Sequence, residues 1–134
     1  MPSKLRFCVL AALAACAWAS CKHDVDVTPQ CYAGVILRDH CVDGTLIQVD
    51  SQFPIGKPLP AAWQADSLGG NNVIAAANHP SGILGKRGQR IYFTFQANTE
   101  APAPRYCFVN VAPLAVPHRV LSNVSTAPCA PTAP

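Results

Sequence analysis

The stretch Arg90-Ile-Tyr-Phe-Thr-Phe-Gln96 decides the fold. Ile91, Phe93 and Phe95 alternate with Tyr92, Thr94 and Gln96, a period of two that only a strand with one buried face satisfies. Downstream, Arg105–Val111 repeats the pattern with Cys107, Val109 and Val111 on one face, and His118–Val124 reads as a last strand. Upstream, Tyr32–Arg38 is a mostly buried strand. Asp43-Gly44 supplies a turn, Thr45–Asp50 returns with Thr45, Ile47 and Val49 on one face, and Val73–Ala77 is a short apolar strand. Between them Ser51–Asn72, with three prolines and Gly69-Gly70, is a long excursion in which Ala61–Leu68 has room for one or two helical turns. Six short strands at turn-marked intervals predict an all-β domain, a small antiparallel barrel or sandwich.

Composition agrees. A chain of 134 residues supports one domain. Thirteen scattered prolines exclude a helical bundle or coiled coil. Hydrophobic residues make up 50%, far too many for a disordered chain. A net charge of +3, without a strong basic patch, argues against a nucleic-acid partner.

The N-terminus carries an address. Lys4 and Arg6 precede an uncharged run, Phe7–Ala19, which fits a secretory signal and falls short of the ~20 residues of a membrane span. The run ends in Ala17-Trp18-Ala19-Ser20-Cys21. Small residues followed by cysteine resemble the lipobox of bacterial lipoproteins. The resemblance implies cleavage before the cysteine and acylation of its sulfur and new amino terminus, giving a membrane partner through a lipid anchor. Leu13-Ala14-Ala15-Cys16 is the alternative site and has the family's leucine three residues before the cysteine. Cys21 is preferred because it allows a full-length apolar run, because the polar Lys22–Asp26 follows at once, and because it leaves an even number of cysteines. A third reading is cleavage after Ala17-Trp18-Ala19 and release of a soluble secreted protein. The organisation expected is a signal peptide over 1–20, a polar tether over 21–30, a β-barrel domain over 31–129 and a tail over 130–134.

Cys31, Cys41, Cys107 and Cys129 contain no C-x-x-C pair and read as a disulfide framework; spacing alone leaves three pairings open. The order Cys31-x-x-Gly-Val, Cys41-Val-Asp-Gly-Thr-Leu-Ile-Gln-Val, Asn72-Val-Ile-Ala, Gly88-Gln-Arg-Ile-Tyr-Phe-Thr-Phe, a later cysteine and a closing Leu-Ser-Asn-Val-Ser resembles small secreted or lipid-anchored β-barrel proteins of Bacteroidota. Those barrels are similar to the OB fold. The resemblance implies a Cys41–Cys107 bridge, with Cys31–Cys129 then tying the first strand to the tail.

A search for chemistry returns little. His23, Asp24 and Asp26 sit on the tether, where solvation is the simpler reading than weak metal binding. Asp39, Asp43 and Asp50 flank the first hairpin, but Asp43 before Gly44 is more simply a turn residue than a calcium ligand. Gly82–Arg87 fails as a phosphate loop because the glycine spacing is wrong and Arg87 stands where Ser or Thr should be. Lys86, Arg87 and Arg90 form a local basic cluster suited to an anionic partner. Tyr92, Trp63 and Tyr106 are candidates for an exposed aromatic binding face. Asp66-Ser67-Leu68 resembles the O-glycosylation site of Bacteroidota envelope proteins, which implies modification at Ser67. No cofactor or metal site is expected. The reading is a binding or structural module of the cell envelope with an envelope protein as a partner; the alternative is a small periplasmic hydrolase with His79, Asp66 and Ser81 converging from two loops.

Overall fold

The computed structural model describes residues 29–64, 67–79, 84–96, 100–104, 107–108 and 110–130. The signal region, the start of the tether, Asp66, Ser81 and Tyr106 lie outside them.

Six strands form one mixed sheet: β1 (Tyr32–His40), β2 (Gly44–Val49), β3 (Val73–Ala76), β4 (Arg90–Thr94), β5 (His118–Arg119) and β6 (Ser122–Ser125), ordered β5-β3-β2-β1-β4-β6. The all-β class expected from the alternating runs is what the chain adopts. Its one helical feature among the described residues is a 3-10 turn, Ala61–Trp63, inside the long excursion.

β1 is the centre, antiparallel to β2 on one side and to β4 on the other. The β1–β2 hairpin closes through Cys41-Val42-Asp43, with His40 facing Gly44. Gly44 has φ +91°, and a Cβ there would sit 2.5 Å from the Ala76 carbonyl oxygen, so only glycine fits. The β1–β2 pairing slips between Ile36 and Arg38. The extra residue, Leu37, turns to the opposite face from Ile36 and is fully buried there, and such a bulge bends the strand.

That bend helps the sheet curl. β5 and β6 occupy opposite edges, yet only Val120 and Leu121 separate them in sequence. Three residue steps span at most about 10 Å, so the two edges come together at that end. The seam is held by Asn78, just after β3. Its Nδ2 donates to the Leu121 carbonyl and its Oδ1 accepts the Leu121 N–H, both at 2.9 Å. Asn123, at φ +51°, then turns the chain so that its amide donates to Thr94 Oγ1 at 3.0 Å, against β4.

Two apolar clusters follow from the strand period. Ile36, Ile47, Val49, Ile74, Ile91 and Phe93 fill the inside of the curl, whereas Leu37, Leu46, Val73 and Ala75 face outward. The outward set is roofed by the excursion through Leu59 and Trp63, and by Leu114 and Val116. The roof is hydrogen-bonded down: Lys57 pairs with Val73, and Leu59 N–H donates to Gly70 at 2.7 Å. Both faces of β2 and β3 are therefore buried, as a near-continuous apolar run requires.

Three details differ from the sequence reading. Cys107, Phe108, Asn110 and Val111 lie outside any strand, and Phe108 and Val111 are exposed. The Cys107 disulfide ties this segment to the end of β1, and a period of two without a ladder partner makes no strand. The run His118–Val124 splits into β5 and β6 because it turns the barrel corner. The sheet is mixed rather than wholly antiparallel, since β5 runs parallel to β3.

Candidate functional site

Disulfides join Cys31 to Cys129 and Cys41 to Cys107, the pairing the resemblance implies. The bridged cysteines lie immediately before and immediately after β1, which at about 3.3 Å per residue sets the staples roughly 30 Å apart. Two structural bridges indicate folding in an oxidising, extracytoplasmic compartment. Among the described residues, no helix is long and apolar enough to cross a membrane.

Beside the Cys31–Cys129 staple is a cleft of about 340 Å³, lined by Tyr32, Gln52, Phe53, Arg90 and Tyr92 with Pro128 along the tail. Its floor is rigid. The Tyr32 ring stacks on Phe95 at 4.6 Å and meets Phe53 edge-on at 5.3 Å. The loop carrying Gln52 and Phe53 is held by Asn72, whose Nδ2 donates to the carbonyls of Val49, Asp50 and Phe53 while its Oδ1 accepts the Gly56 N–H at 2.7 Å. On the rim, Arg90 forks onto both oxygens of Asp50, donates from Nε to the Tyr92 hydroxyl at 3.3 Å, and lies 5.6 Å from the centre of the Tyr92 ring. The hydrogen bond to Asp50, then that to Tyr92, raises the Arg90 pKa above its ordinary value. The guanidinium is thus charged and already matched by a carboxylate.

A second cluster was missed by the sequence reading. Asp43, taken as a turn residue, is fully buried at the far end of β1. Its Oδ1 lies 2.6 Å from His118 Nε2, its Oδ2 lies 2.5 Å from His40 Nδ1, and both oxygens accept the Leu114 N–H at 3.2 Å. A carboxylate only accepts, so His118 presents N–H to it. The network clasps the hairpin turn to the segment that roofs the outer cluster. Two of its partners leave no local trace, since Leu114 and His118 stand 71 and 75 residues away; only His40, three residues before Asp43, lies near it in sequence. His118 Nε2 is hydrogen-bonded to the carboxylate itself, whereas His40 Nδ1 lies close to Oδ2 without forming a hydrogen bond. Among the described residues, no group of three metal-ligating side chains is arranged to hold an ion.

The remaining expectations resolve as follows. Asp39, Asp43 and Asp50 do not converge: Asp39 accepts from Thr45 Oγ1 at 2.7 Å, Asp43 serves the histidines and Asp50 serves Arg90. Arg90 turns to Asp50, and Lys86 and Arg87 are exposed on the turn before β4. Of the expected aromatic face, Tyr92 reaches the cleft. Trp63 instead packs on the outer cluster, with His40 and Arg38 against its ring at 5.2 and 5.3 Å, and Tyr106 is outside the described residues. Ser67 is exposed on a turn. His79 is described, but Asp66 and Ser81 are not, so the proposed hydrolase trio lies partly outside the described residues. The same holds for Cys16, Cys21, His23, Asp24 and Asp26.

No family model matches this chain, and no curated protein or solved structure is similar to it.

Proposed function

We propose that this chain is an envelope protein held at a membrane by acyl groups on Cys21, with Cys16 as the alternative site, and that it works by binding at the cleft beside the Cys31–Cys129 staple. One observation carries the anchoring: the two disulfides use Cys31, Cys41, Cys107 and Cys129, so the cysteines left over are all in the first 21 residues. A cysteine at the end of a signal-like apolar run is the position that bacterial lipoproteins, which this segment resembles, acylate. β1 begins eleven residues after Cys21, which keeps its start within about 40 Å of the anchored residue.

Binding is supported by the cleft's construction. Its floor, loop and rim are each fixed by contacts within the domain, so an occupant meets a surface ordered in advance. The test of anchoring is palmitate labelling in a Gram-negative host. Label lost in Cys21→Ala and kept in Cys16→Ala supports the assignment. The reverse moves it to Cys16, and no label in the parent protein refutes anchoring in favour of soluble secretion.

A further inference from the structure

We infer that the cleft takes an uncharged sugar ring, a reading that rests on the cleft being the binding site. The argument starts from charge. Arg90 is the cleft's single permanently charged lining residue, and it is forked onto Asp50 and stacked against Tyr92. An anionic ligand would have to compete with that carboxylate for the guanidinium, and a cation would have to compete with the guanidinium for the carboxylate. The site therefore offers almost no net charge to either.

What it offers instead is flat apolar surface edged by hydrogen-bonding groups. Tyr32, Phe53 and Tyr92 supply ring surface, and the Cys31–Cys129 sulfurs with Pro128 supply a further apolar wall. Gln52, exposed at the mouth, has an amide that donates and accepts, and the Tyr92 hydroxyl does both. A pyranose has this complementary character. One face is a patch of C–H groups that loses water on an aromatic ring, and its edge is a row of hydroxyls that need both donors and acceptors. A volume of about 340 Å³ is at the small end of ligand pockets, suited to one or two sugar units rather than a lipid chain or folded partner.

The test is a heteronuclear NMR titration of the full chain, as its host exports it, with glucose, galactose, mannose, N-acetylglucosamine and maltose. The expected result is saturable shifts at Tyr32, Gln52, Phe53, Arg90 and Tyr92, unchanged when salt is raised to ~0.5 M because no net charge is involved. Tyr92→Ala should weaken binding by about tenfold or more. Gln52→Ala, at an exposed position that leaves folding intact, should weaken it severalfold, and Lys86→Ala should leave it unchanged. Binding of glucuronate in preference, suppressed by salt, would overturn the neutral-sugar assignment while keeping the cleft as a site. If no sugar shifts the cleft but an envelope extract broadens the same signals in a Tyr92-dependent way, the ligand class is wrong and the binding reading stands. No response to either refutes both.

Discussion

Replacing Asp43 by asparagine separates a turn residue from a structural clasp. Asparagine is as good as aspartate in a turn, so a residue chosen only for the hairpin would tolerate the change. The buried network would not. Asp43 is fully shielded from solvent, and it gathers His118, His40 and the Leu114 N–H on its two oxygens. An amide in the same place keeps one acceptor and turns an N–H₂ toward a group that already presents N–H. A lost hydrogen bond to a charged group costs about 1.5–3 kcal/mol, and breaking a buried pair by removing one partner costs about 3–5 kcal/mol. The expected destabilisation is about 3 kcal/mol, against the roughly 5–15 kcal/mol typical of a whole domain. For a domain near 100 residues that lowers the Tm by roughly 10–20 °C. Urea denaturation of the oxidised protein measures it, and a cycle with His118→Gln should return a coupling of about 1 kcal/mol or more. An Asp43→Asn protein within about 0.5 kcal/mol of the parent would refute the clasp.

Asn78→Ala removes both hydrogen bonds to Leu121, whose side chain is buried at the seam between the sheet edges. It should cost about 1–3 kcal/mol in the same assay. In hydrogen exchange, protection should fall first at the Leu121 amide; a loss confined to β1 would count against the seam. Replacing Cys41 and Cys107 together by serine opens a loop of 66 residues, worth about 4 kcal/mol on the chain-entropy model. An unchanged denaturation midpoint would show that the bridge contributes nothing. His79 has its pKa lowered from 6.5 by burial, because the fold disfavours the charged ring. The unfolded chain then holds that proton more tightly, so this group's effect is to reduce stability as pH falls from 6.5 through the lowered value. An imidazole titration by NMR with a midpoint at or above 6.5 would reverse the sign.

Much of the fold was legible because its strands obey a simple period. Ile91, Phe93 and Phe95 face one interior, as do Ile47 and Val49, and each alternation was visible before any partner was known. The failures share one cause, contacts between residues far apart in sequence. Cys107 and Val111 belong to a run with strand-like alternation, but a strand exists only if a neighbour pairs with it, and these described residues have none. His118–Val124 looks like one run because its two corner residues, Val120 and Leu121, are themselves apolar. Asp43 looked like turn chemistry because two of its three partners, Leu114 and His118, lie more than 70 residues on. The cleft was half legible. Tyr92 could be read as an outward-facing aromatic, yet the fork of Arg90 onto Asp50 joins two runs separated by 40 residues and leaves no local trace.

The same long-range contacts explain how so slight a sheet holds its shape. Its edges are strands of two and four residues, too short to seal a barrel with a ladder. Closure falls instead to a side-chain seam at Asn78 and to two disulfides at either end of β1. Each bridge ties an end of β1 to the chain beyond β4. The N-terminal strands β1, β2 and β3 form a ladder that can zip locally, whereas the segments carrying Cys107 and Cys129 are tied back to β1 only by closing loops of 66 and 98 residues. Cross-linking removes most of that closing entropy from the unfolded chain. In a reducing compartment the full entropic cost returns, and the C-terminal third is the part that loses its hold. Exposure to an oxidising compartment therefore completes this fold, and it builds the cleft in the same step, because one wall of the cleft is the Cys31–Cys129 bridge itself.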